Sequence, residues 1–388
     1  MSSKLNTSID ELNNNANSFA LFFQTKSKAN TMIEMKKKKD FQRQKIRILD
    51  YIAIAKIISA FSVVILHTNN KFWHFNYNIY KQYWISANAI ESIFYFAVPV
   101  FILCIGATLL DFNEKYGLKE YYYKRIVKVV LPLIFWNIIL YFYRVYFLKN
   151  YKKEHLNFIN IWNIFYKCKI YFIFQSFHHF ILVYMVIPLI AYVEKSKKIK
   201  IYSYCFITLV LTQSLIPYLI QILCSKLAWI YFINSGYIIY IFPGYIIQNY
   251  KFSKIFKLII YIFGFIGLLI HMLGTQILTI KYKRIESLHK GYFNIPCILY
   301  SCAIFLFIKE YSYIILNIIK KKYIYKIGSL TIGPFFIHLP FIDTIDKYYK
   351  INHYSLAYRF FGGILICIIC FIITFIMKMI PIVNYLVP

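Results

Sequence analysis

The chain has 388 residues, 60% of them hydrophobic, with a mean hydropathy of +0.55, and it carries 45 Lys and Arg against 15 Asp and Glu. That composition excludes a soluble globular domain, because long apolar runs recur through nearly the whole length after residue 47. The net charge of +30 does not imply nucleic-acid binding. The basic residues mostly flank apolar runs instead of forming one patch, which is the pattern of topology signals and of contacts with anionic membrane lipid.

Residues 1–46 are polar and rich in Asn, Ser and Lys, and are expected to form a disordered, basic N-terminal segment. It ends in the run KKKKDFQRQK, which places the N-terminus in the cytoplasm, beside a cell (inner or plasma) membrane. The remainder, 47–388, is expected to be one transmembrane domain of the all-α class, a polytopic helical bundle of about ten spans. The spans are placed near 48–67, 90–110, 129–148, 171–193, 201–223, 229–249, 258–280, 292–309, 323–342 and 360–380. Of these, 229–249 and 323–342 are the weakest, and both spanning and re-entrant readings stay open for them. The segments assigned to the cytoplasm hold about 27 Lys and Arg, the external ones about 15, which favours both termini inside.

The first span carries Lys56 within an apolar run and His67 at its end. Eleven residues are about three helical turns, so the two side chains share one face, roughly 16 Å apart along the axis. A charge inside a membrane helix costs about 2.5–3.5 kcal/mol, so it normally faces a polar path. Lys56 is too deep for easy snorkelling, and the pair reads as a functional feature rather than an anchor.

In the second span Pro99 and Gly106 read as a kink and a close helix contact. Before the third span, Lys124, Arg125 and Lys128 fall within about one turn of one another. Read alone they are ordinary inner-face anchors, though the cluster also suits a phosphate group. In the fourth span His178 and His179 are adjacent and point about 100° apart, which disfavours a shared metal. His271 reads as a packed histidine, and His338 lies near the outer end of the ninth span. Cys367 and Cys370 have metal-ligand spacing but no partners nearby, and read as small apolar residues. Phosphate-loop, HExxH and serine-elbow signatures are absent, and no metal site is expected. The acidic residues avoid the middle of each predicted span, which argues against cation-driven transport.

Several of these stretches resemble one family. Lys56-x10-His67, the Pro99–Phe101–Gly106 spacing, Arg125-x-x-Lys128 followed by Pro132 and Trp136, the His178-aromatic stretch and the Ile337-His338 pair are together similar to the integral-membrane acyltransferase-3 family. The resemblance covers roughly residues 47–345. It departs from the family at Lys128, which stands for a second arginine, at Ile105, which stands for a small hydroxyl residue, and at Ala53, which stands for an aspartate. Asp50 is the nearest carboxylate that could replace the last.

The resemblance implies an enzyme that moves an acyl group, expected to be acetyl, from cytoplasmic acyl-CoA to a hydroxyl of a surface glycan or its lipid-linked precursor. His67 and Lys56 are then the expected catalytic residues. Arg125, Lys128 and Lys124 are expected to contact the donor, and His178 and His338 the acceptor. No tightly bound cofactor is expected. The partners are acyl-CoA, the glycan acceptor and membrane lipid, without nucleic acid. The alternatives are a polysaccharide exporter or flippase, in which Lys56 and His67 line a path, and a non-catalytic component of envelope-glycan assembly.

Overall fold

The computed structural model describes residues 50–148, 172–223 and 235–387, with the side chains of the second of these stretches described from 180 onward. The expected N-terminal segment 1–46 lies outside the described residues. All regular structure among the described residues is helical. The helices are α1 (Asp50–Thr68), α2 (Tyr80–Phe94), α3 (Ala97–Leu109), α4 (Leu118–Arg125), α5 (Leu131–Phe142), α6 (Phe172–Ala191), α7 (Lys195–Leu209) and α8 (Ile216–Leu223). They continue with α9 (Ile241–Asn249), α10 (Lys254–Leu269), α11 (Thr275–Tyr282), α12 (Ile295–Ile318), α13 (Lys321–Gly328), α14 (Ile332–Tyr348) and α15 (Gly363–Met379).

Among the described residues, seven helical stretches are long and apolar enough to cross a membrane: 50–68, 80–114, 118–148, 195–223, 254–282, 295–318 and 358–379. The two weakest sequence candidates are where continuity fails. Near 229–249 the described chain is a 3-10 turn at Gly236–Tyr240 leading into the nine-residue α9. Near 323–342 a break at 329–331 separates α13 from α14. The second span begins ten residues earlier than its hydropathy suggests, at Tyr80 rather than near residue 90.

The bilayer offers no water to polar side chains, so these helices satisfy them on their own backbones. Ser62 Oγ donates to Ile58 O at 2.8 Å, and Thr108 and Thr374 bond back one turn in the same way. Where two helices must approach closely, glycine faces backbone. A Cβ on Gly106 of α3 would lie 2.0 Å from Ile241 O, and one on Gly244 of α9 would lie 2.2 Å from Leu103 O. The two helices are therefore in reciprocal backbone contact, as small-residue packing allows in membranes. Gly106→Leu or Gly244→Leu is expected to cost at least the roughly 1–3 kcal/mol of ordinary overpacking. The loss would be read as a smaller monodisperse fraction after detergent extraction.

At the end of the bundle opposite His67, a buried ion pair ties α3 to α7. Lys198, 1% exposed, donates to Asp111 Oδ1 at 2.7 Å and to Leu110 O at 2.9 Å. A cation here meets the free carbonyls of a helix C-terminus, where the dipole favours it. At the His67 end, residues 70–94 fold into a small cap. Phe72, Tyr83, Trp84 and Ala87 form its core, and Trp84 Nε1 donates to Phe72 O at 2.8 Å.

Candidate active site

His67 occupies the last turn of α1 and is partly exposed. His338 lies on α14, fully buried, with its ring centroid 4.8 Å from that of His67. A carbonyl only accepts, so the 2.6 Å contact between His338 Nδ1 and Pro334 O puts the ring proton on Nδ1. Nε2 of the neutral ring is then a bare lone pair, and it is buried without a partner among the described residues. His67 itself makes no hydrogen bond among the described residues. The arrangement is an imidazole held by its own helix, with its free nitrogen next to a second, more accessible imidazole. Such a pair can accept and pass on a proton.

Packing fixes His338 from the sides. Phe335, one turn earlier, lies 6.4 Å from its ring and 5.5 Å from Phe101 of α3. Trp136 of α5 stacks on Phe336 at 5.4 Å with an interplanar angle of 3°, and its Nε1 donates to Leu386 O. Thus α3, which carries the Pro99–Gly106 stretch, and α5, which carries Pro132 and Trp136, pack against α14 on either side of the His338 turn.

Lys56 lies about three turns from His67 toward the opposite end, partly exposed. It makes no hydrogen bond or ion pair among the described residues, and its charge reaches the Cys104 thiol of α3. Ala53, where a carboxylate was expected by resemblance, is used for packing. A Cβ on Gly328 would stand 3.0 Å from the Ala53 Cβ, so α1 and the end of α13 are in near-backbone contact there.

The three basic residues near 125 have different neighbours. Lys124 pairs with Glu120 at 2.6 Å and sits 4.0 Å over the Tyr116 ring. The Arg125 guanidinium lies 5.5 Å from each of the Tyr121 and Tyr184 rings, between α4 and α6. Lys128 belongs to a π-helical turn, Ile126–Val130, whose wider winding takes it off the Arg125 face. It is exposed, and its charge reaches that of Lys378 at the end of α15. His178 lies on α6 before its described side chains begin. His271 is fully buried, with its ring 5.0 Å from Tyr95. Cys367 and Cys370 are buried free thiols.

Behind His67 the structure assembles a buried polar network that motif reading missed. The next residue, Thr68, donates to Arg359 O at 2.9 Å. Asn69 donates to Ala87 O at 2.8 Å and to Glu91 Oε2 at 3.2 Å, and accepts from Arg359 at 3.3 Å. Arg359 also donates to Ser86 Oγ at 2.7 Å. Lys290, from the loop before α12, donates to Ser92 Oγ at 2.9 Å. Burial pushes the Lys290 ammonium down to about 7, against the opposing pull of Glu91. Glu91, Arg359 and Lys290 are each at most 4% exposed; the Lys290 charge acts on Glu91 directly, whereas Arg359 reaches it through Asn69. Only the Asn69–Asn70 pair directly after His67-Thr68 hinted at polar business here. Arg359 and Lys290 read as ordinary flanking charges, and Glu91 as the edge of a span.

Neither the curated proteins nor the solved structures yield a significant match to the chain. The family model described as an acyltransferase domain, acyltransferase-3, matches residues 49–375. That range takes in α1 through most of α15, including His67, His338 and the network behind them. The chain belongs to the acyltransferase-3 family and is an integral-membrane acyltransferase.

Proposed function

We propose that the protein transfers an acyl group, acetyl in the first instance, from cytoplasmic acyl-CoA to a hydroxyl of a surface glycan or its lipid-linked precursor. It would do so in the cell membrane with its N-terminus in the cytoplasm. The observation that carries this reading is the His67–His338 pair, in which one imidazole is accessible and the other presents an unpartnered nitrogen. In the step, the acceptor hydroxyl gives its proton to the imidazole pair while its oxygen attacks the thioester carbonyl. The tetrahedral adduct then expels the CoA thiolate, which takes up a proton, leaving an ester. His67 is the catalytic residue that meets substrate and takes its proton, and the free nitrogen of His338 shares that proton; contact of His338 itself with the acceptor would require the acceptor to open the packing around it.

The donor would reach this pair from the opposite end of the bundle. Lys128, with Lys378 close by, offers paired positive charge for the CoA phosphates, and Arg125 and Lys124 lie on the same short helix. Lys56, without an ion-pair partner, would hold an anionic part of the donor along the way; His178 is retained as an acceptor contact. Lys56→Met is accordingly expected to raise the KM for acyl-CoA by about tenfold, the worth of a 1.4 kcal/mol contact, and to leave kcat within a factor of about two. Steady-state assay against donor concentration checks this.

The test of the reading is label transfer from radiolabelled acetyl-CoA into envelope glycans, using membranes that contain the full chain. Ester-linked label, released by mild base, is the expected result. Absence of transfer with every short acyl-CoA tried, from folded protein and native acceptors, would overturn it in favour of export.

A further inference from the structure

A cavity of about 670 Å³ opens between α7, α9, α10 and α12, toward the end of the bundle opposite the histidine pair. Its walls are apolar, with Phe206, Ile246, Phe256, Phe263 and Leu299 among them. Charge collects at one end, in the turn between α9 and α10, where Lys251 and Ser253 line the cavity; the hydroxyl of Ser203 on α7 is turned back to Ile199 O at 2.8 Å. Lys254 follows directly at the start of α10, whose first turn has no acidic residue. Lys251 and Lys254 are both exposed and form no ion pair among the described residues, whereas the next lysine, Lys257, is already paired with Glu310 at 2.5 Å.

Two of the walls belong to the least buried spans of the protein, 195–223 and 254–282, with 22% and 17% of their apolar windows buried. The groove therefore opens on the lipid side of the bundle rather than into the histidine site. A long apolar slot with basic charge at one mouth matches an amphiphile with an acyl chain and an anionic head. Water-soluble ligands would leave most of the slot unfilled, and a neutral lipid would leave the lysines without a counterion.

We propose that this groove binds one acyl chain of an anionic phospholipid, with its phosphate held by Lys251 and Lys254. The site does not depend on the acyl-transfer reading. The N-terminus of α10 adds favourable dipole at the phosphate, and Ser253, which caps that helix by accepting from Phe256 N at 3.2 Å, keeps the turn in place.

The test uses the full chain purified from nanodiscs containing equal amounts of phosphatidylglycerol and phosphatidylcholine, examined by native mass spectrometry after exchange into a delipidating detergent. One phosphatidylglycerol should survive on the wild-type protein, in at least tenfold preference to phosphatidylcholine. Ser203→Trp, which fills the groove, should abolish that retention, as should Lys251→Glu combined with Lys254→Glu. Cys302→Phe serves if Ser203→Trp is not monodisperse. Glycerol phosphate, a head without a chain, should not displace the lipid. Equal retention of the two lipids, unchanged retention in the folded variants, or displacement by glycerol phosphate would each overturn the proposal.

Discussion

Replacing His67 by alanine is expected to lower acyl transfer by about 10²–10⁴-fold, the usual contribution of a positioned acid–base group. Donor KM should stay nearly unchanged, because the proposed phosphate contacts lie at the other end of the bundle. His338→Ala should produce a loss of similar size although its ring is buried, because it removes the free nitrogen beside His67. The double variant should be little worse than either single one, since groups acting as a unit are far from additive. The measurement is turnover of labelled donor by the three variants, each shown to be monodisperse and to melt within a few degrees of wild type. Independent, multiplicative losses would show that the two rings do not work together. An active His67→Ala protein would remove the first helix from the chemistry.

The second large effect concerns the charge count behind the histidines. Glu91→Leu leaves the buried Lys290 without its carboxylate and the Asn69 amide without an acceptor, and should destabilise the fold by about 3–5 kcal/mol. Arg359→Leu leaves Glu91 and Lys290 facing each other and removes hydrogen bonds to Asn69, Ser86 and Tyr354 O. It should cost less, about 1–3 kcal/mol. Glu91→Gln, which can still accept from Asn69, should fall between wild type and Glu91→Leu. Thermal or chemical unfolding in detergent micelles gives the order. If Arg359→Leu were the most damaging of the three, the guanidinium's hydrogen bonds, and not charge balance, would dominate the network. Turnover by folded Glu91→Gln adds a second readout: a lower kcat at constant KM would show that the network holds the His67 turn in place.

Much of this architecture could be read from residue order. The long apolar runs locate the seven long spans because hydrocarbon admits few alternatives to helices. The eleven-residue interval from Lys56 to His67 placed both on one helix face correctly in principle, because α1 is regular throughout. The α13–α14 break was foreshadowed by weak hydropathy, and Gly328 and Ser329 mark it in sequence. The grouping of Lys124, Arg125 and Lys128 rests on uniform winding, and the π turn that begins at Ile126 interrupts it. The network around Glu91 was hidden because span-flanking charges look alike whether they point to water or inward. Their partners come from distant parts of the chain, Asn69 and Ser86 for Arg359 and Ser92 for Lys290. The proximity of His67 and His338, 271 residues apart in the chain, depends on α14 running beside α1, which no local pattern encodes.

The wide turns in these helices have a consequence for how the protein can vary. A π turn amounts to one residue inserted into an α-helix, and it leaves a carbonyl needing a donor from elsewhere. At Tyr358–Gly362 the hydroxyl of Thr68 donates to Arg359 O, and at Ile270–Gly274 the amide of Asn88 donates at 2.9 Å to Met272 O, which also accepts from Thr275 N. Each extra residue is thereby coupled to a polar side chain on a distant helix. Family members that have lost either insertion should show a one-residue gap there together with an apolar residue at the matching donor position. Such paired changes would record the history of the polar pocket as insertions and deletions, visible where simple substitution patterns are silent.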